Sequence, residues 1–366
     1  MPGDEKIERK KILISPLDWG LGHATRCVPI VHKLLSSGFD VTIAGSGRSL
    51  QYLSKQFPQL SAVELPGFSP KYTKKGSVFY KIVWQMPAFL KCIYKEHIQL
   101  AKIQKKYNFD YIISDNRYGL FCKGVNSIII THQIKVYLHG VLKLFEKPLQ
   151  IIIRMMLKKF DQVWVPDFGG EINLSGVLSH NKYASKNYKY IGLLSRFSTI
   201  DENKIDKSLE KAQIVAIISG TEPQRTVLEK ILLNQLVKLP YKVQVFNGKP
   251  EKEEELKLSD NVTVFSNASN EQLYTSIKNA EVIICRSGYS SLMDLAVFKS
   301  KAIVIPTRGQ TEQEYLAKIL NETKQAHSVY QEDIFLPQDI SIAKQCSGIG
   351  SGLNQTFCLD IDKLLP

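Results

Sequence analysis

Cys285-Arg286-Ser287-Gly288-Tyr289-Ser290-Ser291-Leu292-Met293-Asp294 follows the apolar run Glu281-Val-Ile-Ile and leads into Leu295-Ala-Val. The reading is a buried strand, a Ser-Gly turn and then, directly, a helix. Such a junction puts free backbone N–H groups and the positive end of a helix at the carboxyl edge of a sheet, a place that favours an anion. Asp294 stands eight positions after Arg286, about two turns into the helix. From there it can reach a ribose hydroxyl beside a docked diphosphate. Pro306 stands nineteen residues after Ser287, and Gln313 nineteen after Asp294, in Pro306-Thr-Arg-Gly-Gln310-Thr-Glu-Gln313-Glu314-Tyr315.

Apolar runs alternate with helix-length segments on both sides of this stretch. In the first half the runs are Lys11-Ile-Leu-Ile-Ser-Pro, Asp40-Val-Thr-Ile-Ala-Gly, Ala62-Val-Glu-Leu, Tyr111-Ile-Ile-Ser, Ser127-Ile-Ile-Ile-Thr and Gln162-Val-Trp-Val-Pro. Helical spacing over 24–37 separates the first two. In the second half they are Gln213-Ile-Val-Ala-Ile-Ile, Lys242-Val-Gln-Val-Phe, Val262-Thr-Val-Phe, the run at 281 and Lys301-Ala-Ile-Val-Ile-Pro. These runs read as strands feeding loops at one edge of a parallel sheet. The expected fold is α/β, with two tandem Rossmann-like doubly wound domains facing a cleft. A length of 366 residues points the same way, because a single core rarely grows so large. The expected units are 1–195, a polar connection over 196–211, a second domain over 212–345, and a tail over 346–366. The stretch 335–366 is poorly periodic, and its Ser347-Gly-Ile-Gly-Ser-Gly cluster reads as a loop.

Apolar content of 44% and charged content of 23% belong to a globular chain. No run approaches the ~18–20 apolar residues that span a bilayer. The start, MPGDEKIERKK, has no apolar signal core, which makes export unexpected. Six cysteines without a C-x-x-C pair read as reduced structural thiols. The net charge of +13 is uneven: residues 1–160 hold 25 Lys and Arg against 10 Asp and Glu, and the remaining 206 hold 23 against 25. Such asymmetry calls for an anionic partner on the first half. Basic and large apolar residues interleave in Tyr80–Lys95 and again over 142–159, which suits an anionic membrane surface. The same spacing also suits ordinary buried helices with solvated Lys stems. No RNP or zinc-finger pattern points to nucleic acid.

The Cys285-Arg-Ser-Gly segment, with Asp294 and Gln313 at their spacing, resembles the donor half of GT-B-fold glycosyltransferases, family 28 in particular. That family includes the N-acetylglucosaminyltransferase of lipid-linked peptidoglycan precursor synthesis. The resemblance implies a metal-independent, inverting transfer of a hexose or N-acetylhexosamine from a nucleotide sugar, UDP by preference, to a lipid-linked or envelope glycan. It implies no cofactor, and a cytoplasmic enzyme peripheral to the inner face of the membrane. It also implies a C-terminal helix that crosses back onto the first domain. On the donor side it implies roles for Arg196 at the leaving diphosphate, for Ser219, Gly220 and Thr221 in a phosphate loop, and for Phe265 and Ser266 at the base. Arg286, Ser287 and Gly288 belong to the quoted junction. Asp294 would hold the ribose, and Gln313 and Glu314 the sugar hydroxyls.

Asp18-Trp-Gly-Leu-Gly22-His23 stands at the first strand-to-helix junction and resembles the family's Gly-His loop. Gly22 lets a ligand approach closely. A histidine titrating near neutrality suits the base that takes the acceptor hydroxyl's proton, so His23 is the candidate, with Asp18 as an orienting group. Asp115 and His132, each following a strand, are candidate acceptor-site residues. No Asp-x-Asp element on a strand end supplies metal ligands. Two other readings stay open: a GT-B-fold nucleotide-sugar 2-epimerase, and a non-catalytic nucleotide-sugar-binding scaffold.

Overall fold

The computed structural model describes residues 9–68, 78–138, 140–180, 185–205, 211–220, 222–248, 254–353 and 359–365, without the side chains of 78–83, 141, 142 and 204. In the first half the chain runs β1 (Lys11–Pro16), α1 (Leu21–Ser36), β2 (Asp40–Gly45), α2 (Gly47–Gln56), β3 (Ser61–Glu64) and α3 (Val78–Tyr107). It continues through β4 (Tyr111–Asp115), β5 (Asn126–Ile130), α4 (Glu146–Leu157), β6 (Gln162–Val165) and β7 (Tyr188–Tyr190). The second half holds β8 (Ile214–Ile217), α5 (Gln224–Leu236), β9 (Val243–Phe246), β10 (Glu255–Lys257), β11 (Val262–Phe265), α6 (Asn270–Asn279) and β12 (Val282–Cys285). After these come α7 (Tyr289–Ala296), β13 (Ala302–Val304), α8 (Thr311–Glu322), β14 (His327–Ser328), α9 (Leu336–Lys344) and α10 (Ile361–Leu364).

The strands form two sheets, ordered β3-β2-β1-β4-β5-β6-β7 and β10-β11-β9-β8-β12-β13-β14. Among the described residues every pairing is parallel except that of β10 with β11. The strands are rich in β-branched residues because the sheets are covered on both faces: β4, β9 and β12 are buried along their whole length. In each sheet the winding reverses beside its central strands, at β1/β4 and at β8/β12. A crevice opens at such a reversal, outside the carboxyl ends of the strands. His23 follows β1 and Asp115 ends β4; Ser219 follows β8 and Arg286 follows β12. Topology therefore gathers the candidates into two clusters.

Three edge strands, β7, β10 and β14, escape the apolar-run pattern because they are only two or three residues long. The connection after 195 is more ordered than its polarity suggests. Residues 196–199 and 202–204 form single 3₁₀ turns, Phe197 is buried, and Lys278 holds Glu202 at 2.7 Å. Within the stretch read as poorly periodic, α9 forms with Pro337 in its first turn, where a missing N–H breaks no helical hydrogen bond.

α10 returns to the first half. The Leu364 carbonyl accepts from Gln162 Nε2 at 3.1 Å and from Lys189 Nζ at 3.4 Å. Leu359, Ile361, Leu364 and Leu365 join a core that also contains Ile14 and Val31 of the first half and Leu292 and Val304 of the second. One apolar body thus runs through both halves. Replacing the fully buried Ile361 by Ala should cost about 2–5 kcal/mol, the usual range for such a cavity. Urea unfolding of Ile361→Ala measures it, and a midpoint equal to that of the parent chain would show that the tail contributes no packing.

Candidate active site

Gly20 begins the first crevice. It precedes α1 with φ +126, a conformation that side chains rarely adopt, and a Cβ there would meet nothing within 4 Å. The turn delivers His23 into the first helical turn, beside the end of β4. His23 Nδ1 lies 3.0 Å from Asp115 Oδ1. Arg26, three residues along the same helix face, clamps that carboxylate with two donors: Nε reaches Oδ2 at 2.5 Å, and Nη2 donates to Oδ1. Asp115 is fully buried and Arg26 is 1% exposed. Burial works against the Asp115 charge, but Arg26 and His23 together outweigh it and hold the carboxyl down at about 2. An ionised Asp115 can only accept, so the His23 proton is assigned to Nδ1. Arg26 Nη2 also stands 2.9 Å from Nδ1; with the proton on Nδ1, both donors converge on Asp115 Oδ1. That leaves Nε2 bare on an imidazole whose side chain is 18% exposed. Burial lowers the His23 pKa from 6.5, aided by Arg26 and opposed by Asp115.

The orienting acid is therefore Asp115. Asp18, expected in that role, instead accepts from the Ser49 amide at 3.0 Å and anchors the start of α2. His132, expected on the acceptor side, is 4% exposed, and both of its ring nitrogens face partners. A strand end marks the crevice without saying how deep a side chain sits. Arg26 ends the same strand-to-helix segment but drew no expected role, although its i, i+3 relation to His23 puts the two on one helix face.

The second crevice is built from three strand-to-helix loops. Ser219 and Gly220 follow β8; Gly220 has φ +109, and a Cβ on either Gly220 or Gly288 would meet nothing within 4 Å. Thr221 lies outside the described residues. Glu222 does not burden this loop with a free charge, because Arg225 binds it at 2.5 and 2.8 Å. Arg286 is 1% exposed and bolts the three loops together. It donates to the carbonyls of Ile305 and Pro306 at 3.4 Å, to that of Gln224 at 3.1 Å, and to Gln331 Oε1 at 2.5 Å. Its Nε has no hydrogen-bond partner, no carboxylate pairs with it among the described residues, and burial lowers its pKa to about 10. A buried cation so placed favours an anion nearby. Ser287 Oγ donates to the Gln313 carbonyl at 2.9 Å, tying this loop to α8.

Other expected donor residues are engaged within the protein. The Gln313 amide accepts from Thr307 N at 2.9 Å and donates to Gln310 at 2.6 Å. Glu314 accepts from Gly309 N at 2.9 Å. Phe265 stacks on Phe246 with centroids 5.1 Å apart, and the Ser266 amide donates to Glu254 O at 2.9 Å. Asp294 is 5% exposed and accepts from Ser195 Oγ at 2.7 Å and from Arg196 Nε at 3.0 Å. In this arrangement it fastens the interdomain connection to α7, and Arg196 faces Asp294. Among the described residues no three His, Cys, Asp or Glu side chains gather as a metal-binding group.

The two crevices face each other. Ser290 Oγ, in the first turn of α7, donates to the Gly22 carbonyl at 3.0 Å, and a Cβ on Gly22 would lie 2.8 Å from that oxygen. Tyr289 donates to the Pro166 carbonyl at 2.7 Å. Glu312 of α8, which no sequence signal singled out, meets His132 Nε2 at 2.7 Å and also accepts from Gln133. The pairing spans 180 residues of chain, so local pattern could not show it.

Residues 214–343 match the glycosyltransferase family 28 C-terminal domain. An uncharacterized glycosyltransferase of Methanosarcina acetivorans is 24% identical over 331 residues, covering 85% of this chain and 83% of the relative. The UDP-N-acetylglucosamine–N-acetylmuramyl-(pentapeptide) pyrophosphoryl-undecaprenol N-acetylglucosamine transferase of a Sulfurihydrogenibium species is 22% identical, covering 89% and 86%. Among solved structures, Acinetobacter baumannii MurG superposes with a TM-score of 0.54 at 12% identity, over 95% of this chain and 96% of that one. The glycotransferase of kitacinnamycin gives 0.61 at 14% identity, over 92% and 91%. The second half thus carries the glycosyltransferase family 28 C-terminal domain, and the chain as a whole is a glycosyltransferase of the GT-B fold.

Proposed function

We propose that this glycosyltransferase moves a hexose or N-acetylhexosamine from a UDP-sugar to a lipid-linked or envelope glycan, with inversion and without a metal. The observation that carries the reading is the His23–Asp115 pair, built from the first turn of α1 and the end of β4, where the neighbouring Gly22 carbonyl touches the first turn of α7. His23 Nε2 would accept the acceptor hydroxyl's proton as that oxygen bonds to the anomeric carbon. The bond from that carbon to the diphosphate breaks on the opposite face, and its electron pair leaves with the nucleotide. Asp115 stabilises the resulting imidazolium and keeps the ring in its productive tautomer. The α5 and α7 N-termini, with the unneutralised charge of Arg286, supply positive potential for the departing diphosphate. The choice of a UDP donor and a lipid-linked acceptor rests on the Sulfurihydrogenibium enzyme, whose match runs through both halves of the chain.

The acceptor side supports a membrane location. Along α3, Trp84 (84% exposed), Leu90, Tyr94 and Ile98 stand clear of the core, interleaved with Lys91 and Lys95. Leu144, Phe145, Ile151, Ile152 and Met155 are exposed across the turn before α4 and α4 itself. Apolar side chains flanked by lysines fit an anionic lipid surface, which would bring the cleft to a lipid-borne acceptor. No described helix is long and apolar enough to cross a membrane. Lys81 of the same segment lies outside the described side chains.

His23→Ala should lower kcat by about 10²–10⁴-fold, the usual share of a general base, and leave UDP affinity by calorimetry nearly unchanged. Near-normal turnover would remove His23 from the mechanism; no UDP release by the parent chain from any UDP-sugar would leave a binding scaffold. Parent activity should persist in excess EDTA, and loss restored by Mg²⁺ would refute metal independence. The base must be neutral, and its folded pKa lies below 6.5, so the acid limb of kcat/KM should have its midpoint below 6.5. A midpoint above 6.5 would contradict the buried, Arg26-flanked His23. For the membrane, Lys91→Glu with Lys95→Glu should weaken binding to anionic vesicles, each lysine contributing about 1 kcal/mol at low salt. Indifference of the parent chain to such vesicles would make the acceptor a soluble one.

A further inference from the structure

We propose, resting on the sugar-transfer reading, that Glu312 is a positioning residue: it reaches across the cleft and, through His132, Arg26 and Asp115, sets the basicity of His23. Glu312 sits in the first turn of α8, in the half opposite His23. Its Oε1 lies 2.7 Å from His132 Nε2, and its other oxygen accepts from Gln133. A carboxylate only accepts, so His132 carries its proton on Nε2 and turns the bare Nδ1 to Arg26 Nη1, 3.4 Å away. The ring is held in this arrangement from its face as well. It lies 9° from parallel to Tyr289 with centroids 4.0 Å apart, and Tyr289 is itself tied to the Pro166 carbonyl. Arg26 commits Nε and Nη2 to Asp115, which accepts from His23.

The charges give this chain of contacts its consequence. Burial works against the Glu312 charge, but His132, Arg26 and His23 outweigh it and hold the carboxyl below its usual range. Glu312 and Asp115 each bring a negative charge and Arg26 a positive one, so these three sum to −1 before His23 takes a proton. Uptake of the acceptor's proton by His23 brings the sum to zero. Without the Glu312 charge the same step would run from zero to +1 in a buried site, which disfavours the imidazolium. Among the described residues, Tyr289 stacks on the His132 ring with Asp167 beside its hydroxyl, and Cys27 and Tyr118 stand near Asp115; burial holds Tyr289, Cys27 and Tyr118 uncharged. Because Glu312 and His132 come from different halves, the full negative charge is present only while the halves are together.

Glu312→Gln keeps an acceptor oxygen for His132 and removes the charge. The expected result is a kcat on the order of tenfold lower, an acid limb of kcat/KM moved to lower pH, and UDP affinity unchanged. Glu312→Asp, which keeps the charge, should hold the acid limb in place. Imidazole ¹⁵N NMR reads the same cluster without substrate: the parent should show His132 protonated on Nε2, and Glu312→Gln should lower the His23 pKa. His132→Gln combined with Glu312→Gln should cost less than the sum of the two single changes. An unmoved acid limb and an unmoved His23 titration in a folded Glu312→Gln variant would overturn the inference. A parent chain that transfers no sugar would overturn the functional reading instead, and the NMR titration would still decide the role of Glu312.

Discussion

The buried pair of Arg26 and Asp115 is the constraint on which the first half's site depends. Two charges at most 1% exposed are costly to desolvate, and a pair of this kind seldom stabilises a fold on its own account. Its effect here is geometric. It joins α1 to the end of β4 across the point where the sheet reverses its winding, and it does so with two donors on two oxygens. That bidentate contact fixes the carboxylate plane, and with it the direction from which His23 can be held. Leaving either charge without the other would cost far more than the pair contributes.

The second half answers the same topological problem differently. At its reversal, between β8 and β12, the buried cation is Arg286, and its partners are three backbone carbonyls and one glutamine oxygen. Carbonyls satisfy donors but do not neutralise charge. The first crevice therefore holds an internally balanced guanidinium, and the second holds one whose charge is left to act outward. The same side chain meets a carboxylate in one half and only neutral oxygens in the other.

The fold was legible because long buried parallel strands leave continuous apolar runs. β7, β10 and β14 were not, since two or three residues carry no period. The His23 loop and the Arg286 junction were legible from glycine, polar and apolar order at strand ends. What failed was partner choice. Asp18 is near His23 in sequence, but Asp115, 92 residues on, is the acid that touches it. Asp294, Gln313 and Glu314 sit at the expected spacing, yet their side chains meet protein groups that only the folded arrangement brings near. Spacing along a helix gives a side chain's row, not what lies opposite it.

The meeting of the halves shows a further asymmetry. In their hydrogen bonds, Ser290, Tyr289, Tyr315 and Met293 of the second half contribute side-chain groups that the first half answers with backbone: the Gly22 and Pro166 carbonyls and the amides of Val177 and Leu194. Backbone groups are present whatever the side chain, so docking of this kind tolerates sequence change in the first half. Gly22 and Gly176 are exceptions: a Cβ would stand 2.8 Å from Ser290 Oγ at the first and would run into the Tyr315 hydroxyl at the second. A first half free to vary its side chains while keeping its partner in place can alter what enters the cleft without losing the alignment of His23 to α7. Side chains do meet side chains where Asn270 touches Tyr52 and Gln56, between α2 and α6. They do so again inside the cleft, where Glu312 takes His132 and Gln133. A single first-half substitution at His132 would break the link from Glu312 to Arg26 while the backbone hydrogen bonds that dock the halves remain.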